Sequence, residues 1–306
     1  MLYQKNHDYV VSSGYGHLDI DALACGQGLD FLLTELGFQS RFISSAALNA
    51  SVPSRIKKRA KILRPRNLSF ERSSFIVCDV SDPKALDSFI DQKKIVELID
   101  HHFGFEDYWK HRIGEKADIR PVAACASQIA ERFIEHSINP NQQVAELLLL
   151  AIISNSLNMQ LELVSPVDHT AKEFLEHIVK PSPGLAKNYF QEVQTAFQDE
   201  PLRSLQLDSK IYTYKDQQYL FAQAEVWNQD NLNLRSLFEK FTKSSKHEGH
   251  FILNVALVES RNNIIFTTQQ SLLEKLESLY GGKVQEFCLT TAGNIILRKQ
   301  IKRDLA

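Results

Sequence analysis

Three short stretches of this sequence gather side chains able to do chemistry. The first is Gly16-His17-Leu18-Asp19-Ile20-Asp21-Ala22, the second is Asp79 standing alone, and the third is Asp100-His101-His102. Each follows directly on a short apolar run. Carboxylates brought that close repel one another, and each resists ionisation unless cations are supplied. Carboxylate and imidazole donors with no thiolate among them suit manganese, magnesium or iron better than a structural zinc. Two such ions side by side can lower the pKa of a shared water and clamp both sides of an in-line phosphoryl displacement. Asp19, Asp21, Asp79 and His101 are the expected centre. Asp79, alone on a middle strand, is the natural bridge between two ions. Each stretch by itself also has a structural use, as a helix N-cap or a turn; the three in this order carry the chemical reading.

The elements that must position these residues are legible from periodicity. Tyr9-Val10-Val11, Ser40 to Ile43, Phe75 to Cys78 and Lys94 to Ile99 read as strands, and the wholly apolar ones as strands buried on both faces. Ile20 to Leu36 has helical spacing and stops at Gly37. Ser81-Asp82-Pro83 is expected to open a further helix. Helical patterns follow at Val122 to Phe133, Gln142 to Ser156 and Asp168 to Val179. Strands alternating with helices predict a doubly wound, parallel α/β sheet, which binds ligands beyond the carboxyl ends of its strands. Lys180-Pro181-Ser182-Pro183-Gly184 reads as a linker. Beyond it, hairpins at Ile211–Tyr214 with Tyr219–Val226 and at Phe251–Val258 with Asn263–Thr267, and a helix over Leu232–Phe241, predict a smaller α+β domain with a mainly antiparallel sheet. The expected domains are residues 1–181 and 186–306.

Composition bounds the partners. Among 306 residues, 35 Lys and Arg face 37 Asp and Glu, so no global charge draws the chain to nucleic acid or an anionic membrane. No stable nucleic-acid partner is expected, and a local basic site for a small anion stays open, as does a homodimer. Cys25, Cys78, Cys125 and Cys288 lack metal or CxxC spacing and are expected to be buried thiols in a reducing compartment. Met1 to His7 lacks a signal-peptide pattern, and the longest apolar run, Leu147 to Ile153, is too short to span a bilayer. A cytoplasmic protein is therefore expected.

At the Asp100-His101-His102 triplet the sequence resembles the DHH phosphoesterase superfamily. Further stretches resemble the branch of the manganese-dependent (family II) inorganic pyrophosphatases and exopolyphosphatases. Arg120-Pro121-Val122-Ala123-Ala124-Cys125-Ala126-Ser127 is similar to that branch's Pro-Val-Gly-Cys-Thr-Ala segment. Ala151-Ile152-Ile153-Ser154-Asn155-Ser156-Leu157, with Ser165-Pro166, is similar to its Ala-Ile-Ile-Ser-Asp-Thr-Leu and Lys-Ser-Pro stretches. Leu297-Arg298-Lys299-Gln300 is similar to its Ser-Arg-Lys-Lys signature, and Asp208-Ser209-Lys210 lies where it places a phosphate-binding lysine. The resemblance implies two Mn2+ per site, with Mg2+ as a substitute. Asp19 and His17 would hold one ion, Asp21, His101 and Asn155 the other, and Asp79 would bridge them. His102 would touch a substrate phosphate. Lys210, Arg298 and Lys299, from a second domain that closes, would grip the remaining phosphate charge, Arg as a fork.

This chain departs from the pattern in three places. Tyr15 stands where the pyrophosphatases have their first histidine, four residues before Asp19. Asn155 replaces a metal-binding aspartate and brings no charge. Gln300 replaces the last lysine of the basic signature. The reading that results is hydrolysis of a phosphoanhydride, in pyrophosphate or short polyphosphate. A phosphodiesterase acting on short oligonucleotides or cyclic dinucleotides ranks below it, since that branch's Gly-Gly-Gly-His ending is represented only by Gly281-Gly282-Lys283. A degenerate phosphate or nucleotide sensor is the third reading, motivated by Asn155 and Tyr15.

Overall fold

The structure is a computed structural model and describes residues 4–305. Residues 1–3, part of the segment read for a leader, lie outside the described residues. The chain divides into two units, Met1–Pro183 and Gly184–Ala306, and the division falls inside the proline-rich stretch.

The first unit contains β1 (Asp8–Ser12), β2 (His17–Leu18), α1 (Ile20–Glu35), β3 (Gln39–Phe42), β4 (Ala47–Leu48), α2 (Ser54–Arg59), β5 (Ser73–Cys78), β6 (Ile95–Asp100), α3 (Glu106–Ile113), β7 (Ala117–Ile119), α4 (Cys125–Glu135), α5 (Gln142–Asn155) and α6 (Pro166–Val179). Its sheet has the order β3-β1-β5-β6-β7, parallel throughout. The order reverses between β1 and β5, so loops after these strands run in opposite directions and open a crevice there. Asp79 ends β5 at that point. Val10, Phe75, Val77 and Leu98 bury one face of the sheet against Leu86, Ile90 and Trp109. Helices α1, α4, α5 and α6 pack as one layer. Gly26 lets α1 lie close to β3: a Cβ there would sit 2.2 Å from the Phe42 ring.

The expected helix at Ser81-Asp82-Pro83 does not form. Residues 81–91 are an irregular segment held by local and long-range bonds. Asp82 accepts from the Lys84 amide, Tyr15 donates to the Ala85 carbonyl, and the Asp87 carboxylate takes both the amide and hydroxyl of Ser45. Trp109 Nε1 donates to the Ser81 carbonyl at 2.6 Å and ties α3 to the same segment.

Helix α6 begins earlier than periodicity suggests, because Ser165 and Asp168 close a capping box across Pro166. Asp168 does more than cap. Fully buried, it accepts from the amides of Ser165 and Ala123 and the hydroxyls of Ser165 and Ser127, at 2.6–3.0 Å. This carboxylate fixes the turn that leads into α4. Asp168→Asn keeps its volume but turns an amide toward these donors. The variant is expected to lose about 2 kcal/mol of stability, read from urea unfolding; a loss within experimental error would show that the donors find other partners.

The second unit contains α7 (Leu185–Asp199), α8 (Pro201–Asp208), β8 (Lys210–Tyr214), β9 (Gln217–Val226), α9 (Leu234–Ser244), β10 (His250–Leu257), β11 (Asn262–Thr267), α10 (Gln270–Tyr280), β12 (Lys283–Gln285), β13 (Cys288–Thr290) and α11 (Arg298–Leu305). Its sheet order is β12-β13-β11-β10-β9-β8, antiparallel except for β9 with β10. That parallel pair exists because α9 carries the chain back across the sheet. The β8–β9 hairpin turns at Lys215-Asp216, both with positive φ, as a two-residue turn of matching twist requires. Alternation along β9 serves two cores. Ala222, Ala224 and Val226 pack with α9, and Tyr219 and Phe221 with α10 and α11.

Cys25, Cys78 and Cys125 are buried and Cys288 is half-buried; all four are thiols. Among the described residues no helix is long and apolar enough to cross a membrane.

Candidate metal centre

Three strand ends of the first unit build the site. After β1 the chain crosses the short β2, and Asp19 caps α1 by accepting the Ala22 amide at 2.9 Å. Asp21 follows in the first turn of α1, fully buried. Its oxygens accept the amides of Cys125 at 2.9 Å and Ala126 at 2.8 Å, the N-terminus of α4. Asp79 leaves β5 with φ +60°, a left-handed conformation that aspartate tolerates better than most residues. Its amide donates to the Ile99 carbonyl on β6. Its Oδ1 is buried and has no hydrogen-bond partner. After β6, Asp100 Oδ1 accepts the His101 amide at 2.7 Å and His102 Nδ1 at 2.8 Å.

His101 Nδ1 lies 3.1 Å from the Val122 carbonyl, to which it can only donate. That bond fixes the tautomer and leaves Nε2 with its lone pair outward. Nε2 lies 3.5 Å from Asp79 Oδ1 and 3.9 Å from Asp21 Oδ2. Asp79, His101 and His102 each offer a donor atom within 4.8 Å of the others. An orphaned carboxylate oxygen facing an imidazole lone pair is a poor hydrogen-bonding arrangement and a good cation cradle. The donors present fit a divalent ion that accepts oxygen and nitrogen.

The electrostatics agree. Burial, and then Asp19, push the Asp21 carboxyl up to about 7. Burial, and then Asp21 and Asp19, push Asp79 well above the ordinary carboxylate range. Burial also raises Asp100, but the hydrogen bond and charge of His102 outweigh it, and Asp100 ends below its ordinary value. The consequence for pH has a definite sign. Without a cation, Asp21 stays protonated in the folded chain up to about 7 but ionises above its ordinary 3.8 when unfolded. Its contribution to metal-free stability is present at low pH and is lost as pH rises through that window. Binding a cation expels the proton, so the rise in Tm on adding manganese should be larger at about pH 8 than at about pH 5.5. Thermal melts with and without manganese test this; an increment that shrinks with pH would oppose it.

Not every residue expected at the site joins this group. His17 is exposed, on β2 beside β4. Asn155 ends α5, and its Nδ2 turns back to the Ala151 carbonyl at 3.4 Å. The next residues, Leu157, Asn158 and Met159, all have positive φ.

Lys210, Arg298, Lys299 and Lys302 form a cationic group on the second unit. Burial and then Arg298 pull the Lys210 ammonium below its ordinary pKa, and Lys299 and Lys302 act in the same direction. The expected role of Arg298 as an open fork needs correction. Its two terminal nitrogens grip the Asp208 carboxylate at 2.6 and 3.1 Å, and Nη1 also donates to the Asp208 and Phe221 carbonyls. The fork is occupied by a carboxylate of its own unit. Gln223 and a buried Asn254–Asn263 pair hold the segment leading into α11. Gly281-Gly282 has a structural use: at Gly282, φ is +115° and a Cβ would lie 2.2 Å from the Thr290 carbonyl oxygen.

Sequence reading missed Asp168, the Val122 carbonyl and the α4 amides. Only Asp168 left a signal, the Ser-Pro-x-Asp capping box; the other groups are main chain and are found by folding alone.

No family model matches the chain. A probable manganese-dependent inorganic pyrophosphatase of Bacillus licheniformis is 22% identical over 306 residues, 95% of this chain and 96% of that protein. One of Lactobacillus gasseri is 22% identical over 301 residues, 94% of each. One of Thermotoga maritima is 24% identical over 230 residues, 70% of this chain but only 40% of that longer protein. Among solved structures, a putative family II inorganic pyrophosphatase of Methanococcus jannaschii superposes with a TM-score of 0.68 at 16% identity, over 97% of this chain and 99% of that one. An exopolyphosphatase-related protein of Bacteroides fragilis gives 0.52 at 11% identity, over 99% and 93%. Along its length the chain is thus similar to proteins named as manganese-dependent inorganic pyrophosphatases, it carries an Asp-His-His triplet at the end of β6, and its fold is that of the family II pyrophosphatase and exopolyphosphatase-related structures.

Proposed function

We propose that this chain hydrolyses phosphoanhydride bonds, in pyrophosphate or short polyphosphate, with two Mn2+ ions as its cofactor. The observation that carries the reading is the buried, unpartnered Asp79 Oδ1 facing His101 Nε2 at 3.5 Å. The relatives named above support the substrate class. Asp79 would bridge the ions, Asp19 would hold one, and Asp21 with His101 the other. Bound there, divalent cations supply Lewis-acid polarisation of a phosphoryl oxygen and lower the pKa of an attacking water. The chain's own groups do the rest. His102, half-exposed, donates from Nδ1 to Asp100 and would meet a substrate phosphate through Nε2, donating there as the imidazolium. The Val122 carbonyl keeps His101 in the ligating tautomer.

Phosphate release from pyrophosphate, tripolyphosphate, a linear dinucleotide and a cyclic dinucleotide, each with manganese and with magnesium, tests the proposal. Turnover of the two inorganic anhydrides with manganese is expected. Turnover of the nucleotides alone would overturn it. The turned-back amide of Asn155 favours a second reading, phosphate binding without turnover, which binding of these compounds with no release would select.

A further inference from the structure

The longest run of the chain without a carboxylate is also its most basic. No Asp or Glu occurs between positions 36 and 70, while seven Lys or Arg fall between Arg55 and Arg66. In a chain whose overall balance is −2, this is a strong local excess. A charge run is ordinarily a solvated face, but this one is built into the reactive edge of the sheet. On its amino-terminal side, Asn49 donates to the Leu18 carbonyl, and the Ser51 hydroxyl accepts the Ile20 amide at 3.0 Å, between Asp19 and Asp21. Arg55, four residues on, is therefore within about 14 Å of the metal loop along the chain. Downstream, Leu63 exchanges main-chain bonds with Phe42 and Ser44, and the Arg64 guanidinium donates to the Ser44 and Ala46 carbonyls at 2.9 and 2.7 Å. Arg55 and Arg59 are pinned to Glu146 on α5. These anchors fix the segment, and Lys57, Lys58, Lys61 and Arg66 are exposed along it.

The occupant that fits is a linear polyanion. Between Phe42 and Phe70 there is no Phe, Tyr, Trp or His. Single-stranded nucleic acid is held by aromatic platforms on which bases stack, together with positive charge. A segment with the charge and no aromatic side chain of its own matches a chain of phosphates without bases.

We propose that the segment from Arg55 to Arg66 is a track for the distal part of an inorganic polyphosphate chain whose terminal anhydride lies at the metal centre. The second half of that statement rests on the function proposed above. The track itself is tested with metal-free, full-length protein in chelator, so that no turnover intrudes, using fluorescence anisotropy of labelled long-chain polyphosphate. The wild type should bind the long chain at least about tenfold more tightly than tripolyphosphate, with affinity falling steeply as salt rises. K57Q/K58Q/K61Q, and Arg66→Gln made separately, should weaken long-chain binding, the triple variant by about tenfold with a shallower salt dependence, at unchanged circular dichroism. Equal affinity for short and long chains, an unmoved triple variant, or equal competition by a single-stranded oligonucleotide of the same charge would overturn the track. The two readings fail separately. Pyrophosphate turnover without chain-length preference removes the track and leaves the activity; chain-length preference without turnover of any anhydride does the reverse.

Discussion

Asp79→Asn should lower manganese-dependent phosphate release by about a thousandfold or more, equivalent to about 4 kcal/mol of transition-state stabilisation. The substitution is chosen because little else should change. Asparagine has nearly the same volume, and it tolerates the left-handed φ of +60° that residue 79 adopts as well as aspartate does. The main-chain bond to Ile99 is untouched. What goes is a negative charge in a buried site where burial and two neighbouring aspartates already oppose it. Without a cation that charge is a burden, so the metal-free variant should melt higher than the metal-free wild type, while the rise in Tm on adding manganese should disappear. A variant with wild-type turnover, or with an undiminished manganese-induced Tm rise, would remove Asp79 from the centre.

Asn155→Asp should act in the opposite direction. A carboxylate here would add charge near the end of α5, and manganese affinity is expected to rise by about ten- to a hundredfold, the scale on which changes around a metal site are felt. The metal-free protein should become less stable, because a negative charge at a helix C-terminus opposes the helix dipole. Isothermal titration with manganese and melts in chelator read the two effects separately. If affinity rises and anhydride turnover rises with it, Asn155 is a retuned ligand in an enzyme. If affinity rises and no phosphate compound is turned over by either form, the chain is a binder. Unchanged affinity would place residue 155 away from the ion altogether, consistent with its present bond to Ala151.

Much of this architecture was legible because apolar runs and their terminators are local signals. The strands at Tyr9, Phe75 and Lys94, the helix stopped by Gly37 and the hairpins of the second unit all follow from patterning within a few residues. The helix expected at Ser81 failed because Ser45, Tyr15 and Trp109 bond to Asp87, Ala85 and Ser81 from distant parts of the chain, which local propensity does not encode. The acids and imidazoles could be listed from sequence, but their roles depend on main-chain partners. The Val122 carbonyl sets the His101 tautomer, and the α4 amides hold Asp21. Neither leaves a mark on side-chain identity. Arg298 shows the same limit: its type suggested a phosphate fork, and only the folded arrangement brings Asp208 into that fork. The basic segment from Arg55 was hidden by averaging, since a near-neutral chain conceals an excess confined to a dozen residues.

The central claim is that the oxygen of Asp79 and the imidazole of His101 exist to share a cation. Crystals of the wild-type protein soaked in manganese, measured at the manganese absorption edge, test it most directly. An anomalous peak at about 2.2 Å from Asp79 Oδ1 and His101 Nε2 is the predicted result. A manganese-soaked crystal with no peak between these two atoms, or with peaks only at surface carboxylates, would contradict the account.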